Sequence, residues 1–233
     1  MMLKKWENLP ENFKTDAVRK YYDSLKEKQV SLFFKRVFDI LLSALMLIIL
    51  SPIFLILAIV IKLDSKGPVF YRQTRVTTYG KEFKIFKFRT MVQNADKIGT
   101  QVTVSNDSRI TKVGAFLRKC RLDEISQLID VFRGTMTFVG VRPEVPKYVE
   151  HYTDEMLATL LLPAGVTSKT SVYYKDENEL LDSAEDADST YIKEILPAKM
   201  KYNLKGLLEF SFFNDIKIMF ITFAAMLGKE YTE

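Results

Sequence analysis

The sequence predicts an α+β protein: a re-entrant membrane helix hairpin, then a small mixed α/β domain carrying amphipathic interfacial helices. Three observations lead there. Residues 40–61 form an uncharged run of 22 residues, ILLSALMLIILSPIFLILAIVI, broken at its middle by Ser51-Pro52. Basic residues flank that run on both sides. Beyond it, β-rich runs give way to segments whose apolar residues recur every three or four positions.

Residues 1–32 read as a polar N-terminal extension, in which Ala17, Val18, Tyr21, Tyr22 and Leu25 fall at helical spacing and nothing suggests chemistry. Lys35-Arg36-x-Phe38-Asp39 marks the interface before the apolar run, within a membrane segment at 33–66. As a helix rising about 1.5 Å per residue, residues 40–61 reach roughly 33 Å, enough to cross a hydrocarbon core. Pro52 removes the N–H that the Ile48 carbonyl would accept from and kinks the helix, and Ser51 is placed to satisfy the freed carbonyl. The run therefore either spans with a kink or bends at Ser51-Pro52 and returns. Arg19, Lys20, Lys26, Lys28, Lys35 and Arg36 precede it; Lys62, Lys66, Arg72, Arg75 and Lys81 follow. A spanning helix concentrates Lys and Arg on one side, so two basic flanks favour the hairpin with both ends in the cytosol, a single-pass anchor being the alternative. The run starts too late, is too long and lacks a small-residue cleavage site for a signal peptide.

The 233 residues leave room for one domain of ordinary size after that segment, at 67–233. A single cysteine, Cys120, excludes an internal disulfide framework, and a single histidine, His151, argues against a His-based metal cluster or triad. The net charge of +5 reads first as attraction to anionic lipid head groups and second as phosphate binding. Nucleic acid is not expected, because the basic residues are dispersed and no RNA-binding signature is present.

Val69–Gln73 and Phe83–Arg89 are β-rich runs around Thr78-Tyr79-Gly80, which predicts a hairpin whose cations Arg72, Arg75, Lys84, Lys87 and Arg89 form a solvated face by default, the alternative being that they face lipid head groups or an anionic ligand. Ser105–Ser108 supplies cap and turn residues before a helical stretch over Thr111–Arg133, stopped by Gly134. Within it, Asp123-Glu124 follows the cations Arg118, Lys119 and Arg121. Adjacent acids on a surface helix are commonplace, but opposite charges keep a carboxylate ionised and can hold a phosphorylated ligand. Next, Val141-Arg142-Pro143-Glu144-Val145-Pro146 is a stiff loop presenting Arg142, whose planar fork suits phosphate. Lys175–Asp188 reads as an acidic surface excursion. The apolar end, Leu207–Leu227, is interrupted by Glu209, Asp215 and Lys217 and reads either as an amphipathic interfacial helix or as a core helix.

Taken in order, KRVFD (35–39), the run with Ser51-Pro52, GPVFYRQ (67–73), FKIFKFRTM (83–91), SRITKVG (108–114), FLRKCRLDE (116–124), FRGTMTFVGVRPE (132–144), PAGVT (163–167), LPAKMKYNL (196–204) and SFFNDIKIMF (211–220) resemble the bacterial sugar transferases, small monotopic phosphoglycosyl transferases. The resemblance covers about residues 33–227. It implies transfer of a sugar-1-phosphate from a UDP-sugar to undecaprenyl phosphate with release of UMP, at the bacterial inner (cytoplasmic) membrane with the catalytic domain facing the cytosol. That reaction would be the first membrane step of capsule, exopolysaccharide or glycoprotein glycan assembly.

The resemblance further implies a phospho-enzyme intermediate and Mg2+, with Asp123 as nucleophile and metal-associated acid, Glu124 as the second acid, and Arg118 and Arg142 on substrate phosphate. Ser51-Pro52 matches the family's helix break, which strengthens the re-entrant reading. Three positions depart from the family pattern: Val141 and Ser126 stand where proline is usual, and Ser168 where glycine is. Glucose, galactose and N-acetylated hexosamines are all compatible, and the oligomeric state is not legible. Two competing readings are a non-catalytic membrane-surface adaptor, with the acids merely solvated, and a lipid-phosphate hydrolase using the same aspartyl chemistry.

Overall fold

A computed structural model describes residues 2–95, 107–173, 180–181, 184 and 186–226. The acidic excursion expected at 175–188 falls largely outside the described residues.

The chain begins with two short 3-10 turns and helix α1 (Asp16–Lys26), whose N-cap Thr15 accepts from the Val18 amide. Its apolar face, Val18, Tyr21, Tyr22 and Leu25, is buried, and with Leu3, Leu9 and Phe13 it joins Ala158, Leu160–Leu162, Leu207 and Phe210 in one core cluster. The N-terminal extension is thus built into the body, because an amphipathic helix must bury its apolar stripe against something.

Helix α2 (Gln29–Asp64) follows and runs without interruption through Pro52. Ser51 Oγ donates to the Ile48 carbonyl at 2.8 Å, replacing the bond that proline cannot make. It is the one described helix long and apolar enough to cross a membrane, and little of it is buried. Leu41, Leu45, Ile48, Ile49, Leu55, Ile56, Ile59 and Leu63 are exposed on its outer side. Its inner side meets the body from end to end. Leu32 joins the N-terminal cluster, Leu42, Met46, Leu47 and Leu50 pack on the central one, and Leu57 and Ile61 pack with Phe88 and Leu117.

Polar residues at the start of α2 lock it in place. Lys35 Nζ donates to the Val139 carbonyl at 2.8 Å and to Asp215 at 2.5 Å. Asp39 accepts from Thr137 Oγ1 at 2.6 Å and from the Phe138 amide at 3.3 Å. Arg36 donates to the Val131 and Phe132 carbonyls.

Strands β1 (Phe70–Val76) and β2 (Glu82–Phe88) form the expected antiparallel hairpin, pairing Phe70 with Phe88 and Val76 with Glu82. Its cations do not form one solvated face: Arg89 is buried at the end of α2, Arg75 and Lys87 are largely covered, and Arg72 and Lys84 are exposed.

The single helical stretch expected over 111–133 is three pieces. Helix α3 (Lys112–Lys119) ends at Cys120, Arg121 turns left-handed (φ 53°), a 3-10 segment covers Leu122–Gln127, and α4 covers Leu128–Arg133. Gly134 stops α4 as expected, at φ 89°, a conformation that suits a residue without Cβ. Strand β3 (Met136–Val139) pairs in parallel with β4 (Ala164–Thr167). The apolar end is two helices, α5 (Leu196–Leu208) and α6 (Phe212–Met226). Helix α6 buries Asp215 and Ile218 while exposing Phe213, Phe220 and Phe223, so it has both a core face and an uncovered apolar one.

Candidate active site

Asp123 and Glu124 open the 3-10 segment that follows the left-handed Arg121. With three residues per turn, adjacent side chains there diverge by about 120°, so the two acids face different surroundings. Glu124 is gripped by two cations: Arg142 reaches Oε1 at 2.5 Å and Oε2 at 3.4 Å, and Lys87 Nζ reaches Oε1 at 2.9 Å. Burial works against its charge, but Arg142 and Lys87 outweigh burial and hold the carboxyl well below its usual range.

Asp123 is buried, and burial, with the Glu124 charge beside it, raises its carboxyl above the ordinary range against the pull of Lys87 and Arg118. Arg118 is held by a hydrogen bond from Nε to Thr90 Oγ1 at 3.0 Å. The four residues singled out from the sequence therefore share one electrostatic site. Arg142, expected to present its fork to a phosphate, here presents it to Glu124.

Three residues of the site were not named as such from the sequence. Lys87 was assigned to a solvated face, yet only 19% of its side chain is exposed. Its position opposite Tyr71 in the hairpin register carries no sign of a partner 37 residues away. Thr90 carries no sequence signal beyond lying in FKFRTM. Ser126 is fully buried and donates to the Phe86 and Asp123 carbonyls, tying the acid segment to β2.

The other two departures from the family pattern are accommodated locally. Ser168 Oγ accepts from the Ser171 amide at 3.1 Å, acting as a helix cap. The Val141 carbonyl accepts from the Gly165 amide at 2.8 Å, so the Arg142 loop is anchored to β4. That anchorage needs glycine: a Cβ on Gly165 would lie 2.2 Å from the Gly140 nitrogen. A cavity of about 60 Å³, bounded by Lys35, Gly140, Val141, Asn203 and Asp215, lies behind this loop and is lined by neither acid.

Among the described residues no three His, Cys, Asp or Glu side chains cluster as a ready-made metal cage. Glu124 is occupied by cations, which leaves Asp123 as the acid of the pair open to a metal. One carboxylate plus substrate phosphates is a donor set that magnesium accepts, so the residues fit an ion carried in with a diphosphate.

The site is thus an acid pair set among Lys87, Arg118 and Arg142, on a segment whose Leu122 and Ile125 pack with Leu57 and Ile61 of α2. The profile of the family described as bacterial sugar transferase matches residues 30–229, and the chain belongs to that family. It is similar to the UDP-glucose:undecaprenyl-phosphate glucose-1-phosphate transferase of Escherichia coli K12, 37% identical over 193 residues, 81% of this chain and 39% of that one. The UDP-N-acetylgalactosamine-undecaprenyl-phosphate N-acetylgalactosaminephosphotransferase of Aeromonas hydrophila is 33% identical over 207 residues, 88% of this chain and 46% of that one. The undecaprenyl-phosphate galactose phosphotransferase of Salmonella typhimurium LT2 is 33% identical over 218 residues, 87% and 42% respectively. The chain thus spans less than half the length of these three relatives.

Proposed function

We propose that this protein is a phosphoglycosyl transferase that moves a sugar-1-phosphate from a UDP-sugar to undecaprenyl phosphate and releases UMP. The observation that carries this is the unequal environment of the two acids: Glu124 is fixed as an anion by Arg142 and Lys87, while Asp123 beside it is bound by neither. The names of the relatives supply the substrate class.

Asp123 attacks the sugar-bearing phosphorus. A carboxylate oxygen–phosphorus bond forms, the bridge to UMP breaks, and a phospho-sugar remains on Asp123. A phosphate oxygen of the lipid acceptor then attacks the same phosphorus and frees the carboxylate. Arg118, Lys87 and the Arg142 fork neutralise the charge of the diphosphate. Glu124, held as an anion, orients Lys87 and Arg142. Magnesium, held by Asp123 and substrate phosphates, would screen the diphosphate and improve the leaving group. Burial of Asp123 and the pairing of Glu124 with Lys87 and Arg142 weigh against the adaptor reading, which requires a solvated pair.

For the membrane segment we propose the re-entrant arrangement at the inner membrane, with the body in the cytosol. Two features support it: both flanks are basic, and α2 meets the body at its start, middle and end, whereas a helix crossing the bilayer keeps its middle away from a cytosolic domain. Cysteines at Arg19 and Lys81 should both resist a membrane-impermeant label in intact cells, and external labelling of either overturns the arrangement.

The reaction is tested with membranes containing the protein, labelled UDP-glucose, UDP-galactose and UDP-N-acetylgalactosamine, and added undecaprenyl phosphate. A lipid-linked product is expected with one of them. Acceptor-independent release of sugar phosphate would instead indicate a hydrolase. Without acceptor, intact-mass measurement should show a phospho-sugar on the wild type and none on Asp123→Asn; an adduct surviving in that variant would place the nucleophile elsewhere.

A further inference from the structure

Two residues after Arg142, the Glu144 side chain turns inward into a buried polar group that the chemistry above does not use. Tyr191 Oη donates to Glu144 Oε1 at 2.6 Å, Lys199 Nζ donates to Tyr191 Oη at 3.0 Å, and Lys199 Nζ lies 3.6 Å from Glu144 Oε1. All three residues are less than a tenth exposed. A buried carboxylate and ammonium are costly unless each is paired, so this placement is demanding and selects one arrangement of the groups.

The supporting elements are equally specific. Tyr191 opens a π-helical turn, Tyr191–Ile195, that feeds directly into α5, where Lys199 sits one turn in. Such turns cost regular hydrogen bonding and recur at functional sites. The Tyr191 ring packs on that of Tyr148 at 4.4 Å. From the other side, Arg75 Nη1 donates to the Pro143 carbonyl at 3.0 Å and the Val76 amide to the Glu144 carbonyl at 2.9 Å. The segment Arg142-Pro143-Glu144 is thus held by β1 through its backbone, and by Tyr191 and Lys199 through the Glu144 side chain.

We infer that Tyr191 and Lys199 are positioning residues: by fixing Glu144 they set where the Arg142 guanidinium stands, and through Arg142 the donor phosphate that it meets. The inference rests on the proposed transferase reading only for its kinetic consequence; the structural link from Tyr191 to the loop stands apart from it.

Tyr191→Phe is the decisive variant, since it keeps the ring on Tyr148 and removes only the hydroxyl. It should raise KM for the UDP-sugar about tenfold, the scale of one hydrogen bond to a charged group, with kcat within about twofold. Hydrogen exchange at the Val76 and Gly165 amides, which donate to the Glu144 and Val141 carbonyls, should quicken by about the same factor. Lys199→Met should show the same pattern more strongly, and Lys199→Arg, which keeps the cation, should recover part of the KM.

A merely structural role would lower Tm in Tyr191→Phe and leave both KM and the exchange at those two amides unchanged, and that result overturns the inference. Faster exchange with an unaltered KM overturns it as well, because the loop would then be loosened without consequence for the donor. If the wild type turns over no UDP-sugar, the transferase reading falls, while the exchange measurement still decides whether Tyr191 holds the loop.

Discussion

At the scale of single residues, the two acids have been separated by their neighbours. Asp123 is raised above the ordinary carboxylate range, first by burial and then by the Glu124 charge, so it gains its proton at a higher pH than an exposed aspartate does. The form that attacks is the ionised one, and the acid limb of kcat/KM should therefore lie above the range of ordinary carboxyls. Glu124→Gln removes a charge that raises Asp123 and frees Lys87 to act on it, so the limb should move to lower pH in the residual activity, which we expect to be down about 10²–10³-fold through misplaced cations. A limb at the same pH in both proteins would mean that another group is titrating. Arg121 stands just before this pair in a left-handed conformation that costs about 1–2 kcal/mol for a residue with a Cβ. Arg121→Gly should raise stability by about 1 kcal/mol, read as a higher Tm in detergent. The left-handed turn was not visible in the sequence, where an arginine gives no hint of positive φ and the apolar spacing continues smoothly across the break.

At the scale of elements, α2 is attached by charge as much as by apolar packing. Lys35 and Asp215 form a buried pair, and burial already raises Asp215 against the pull of Lys35. Lys35→Met leaves a buried acid without its cation and should cost about 3–5 kcal/mol, measurable in urea or by Tm, whereas Lys35→Met with Asp215→Leu should recover most of that loss. Equal instability of the single and double variants would show that the pair does not anchor the helix. The β1–β2 hairpin, the Gly134 stop and the repair of the Pro52 defect by Ser51 were legible because each depends on residues close in sequence. The clamp on α2 was not, since Lys35, Asp39, Thr137 and Asp215 meet only through tertiary packing. For Lys87 the default of a solvated face fails for the same reason: alternation along a strand says which face a side chain takes, not whether Glu124 comes to cover it.

At the scale of the molecule, the residues that precede the family-matched region are part of the core. Leu25 is fully buried in the cluster shared with Leu160–Leu162 and Leu207. Leu25→Ala should cost about 2–5 kcal/mol, and removing residues 1–26 should lower Tm further while leaving Lys87, Arg118, Asp123, Glu124 and Arg142 in place. A Tm unaffected by either change would show that the segment is not docked. From the sequence this stretch showed an amphipathic spacing but no destination, because an apolar stripe does not name its partner. The family resemblance located the acids and arginines, yet was silent on residues outside its own motifs.

The docking of that first helix also bears on how the protein is made. Val18, Tyr21, Tyr22 and Leu25 leave the ribosome before α2, but Leu207 and Phe210, which cover them, follow roughly 180 residues later. At about 5–20 residues per second the delay is on the order of ten to forty seconds. Until then the apolar side of α1 has only part of its cover, from Leu3, Leu9, Phe13 and Leu32 and later Leu160–Leu162. Its arginine and lysines, Arg19, Lys20 and Lys26, suit the bilayer surface, where they meet anionic head groups. Closure of this core therefore waits for α5: α1 is made roughly 180 residues before Leu207 and Phe210 can cover it.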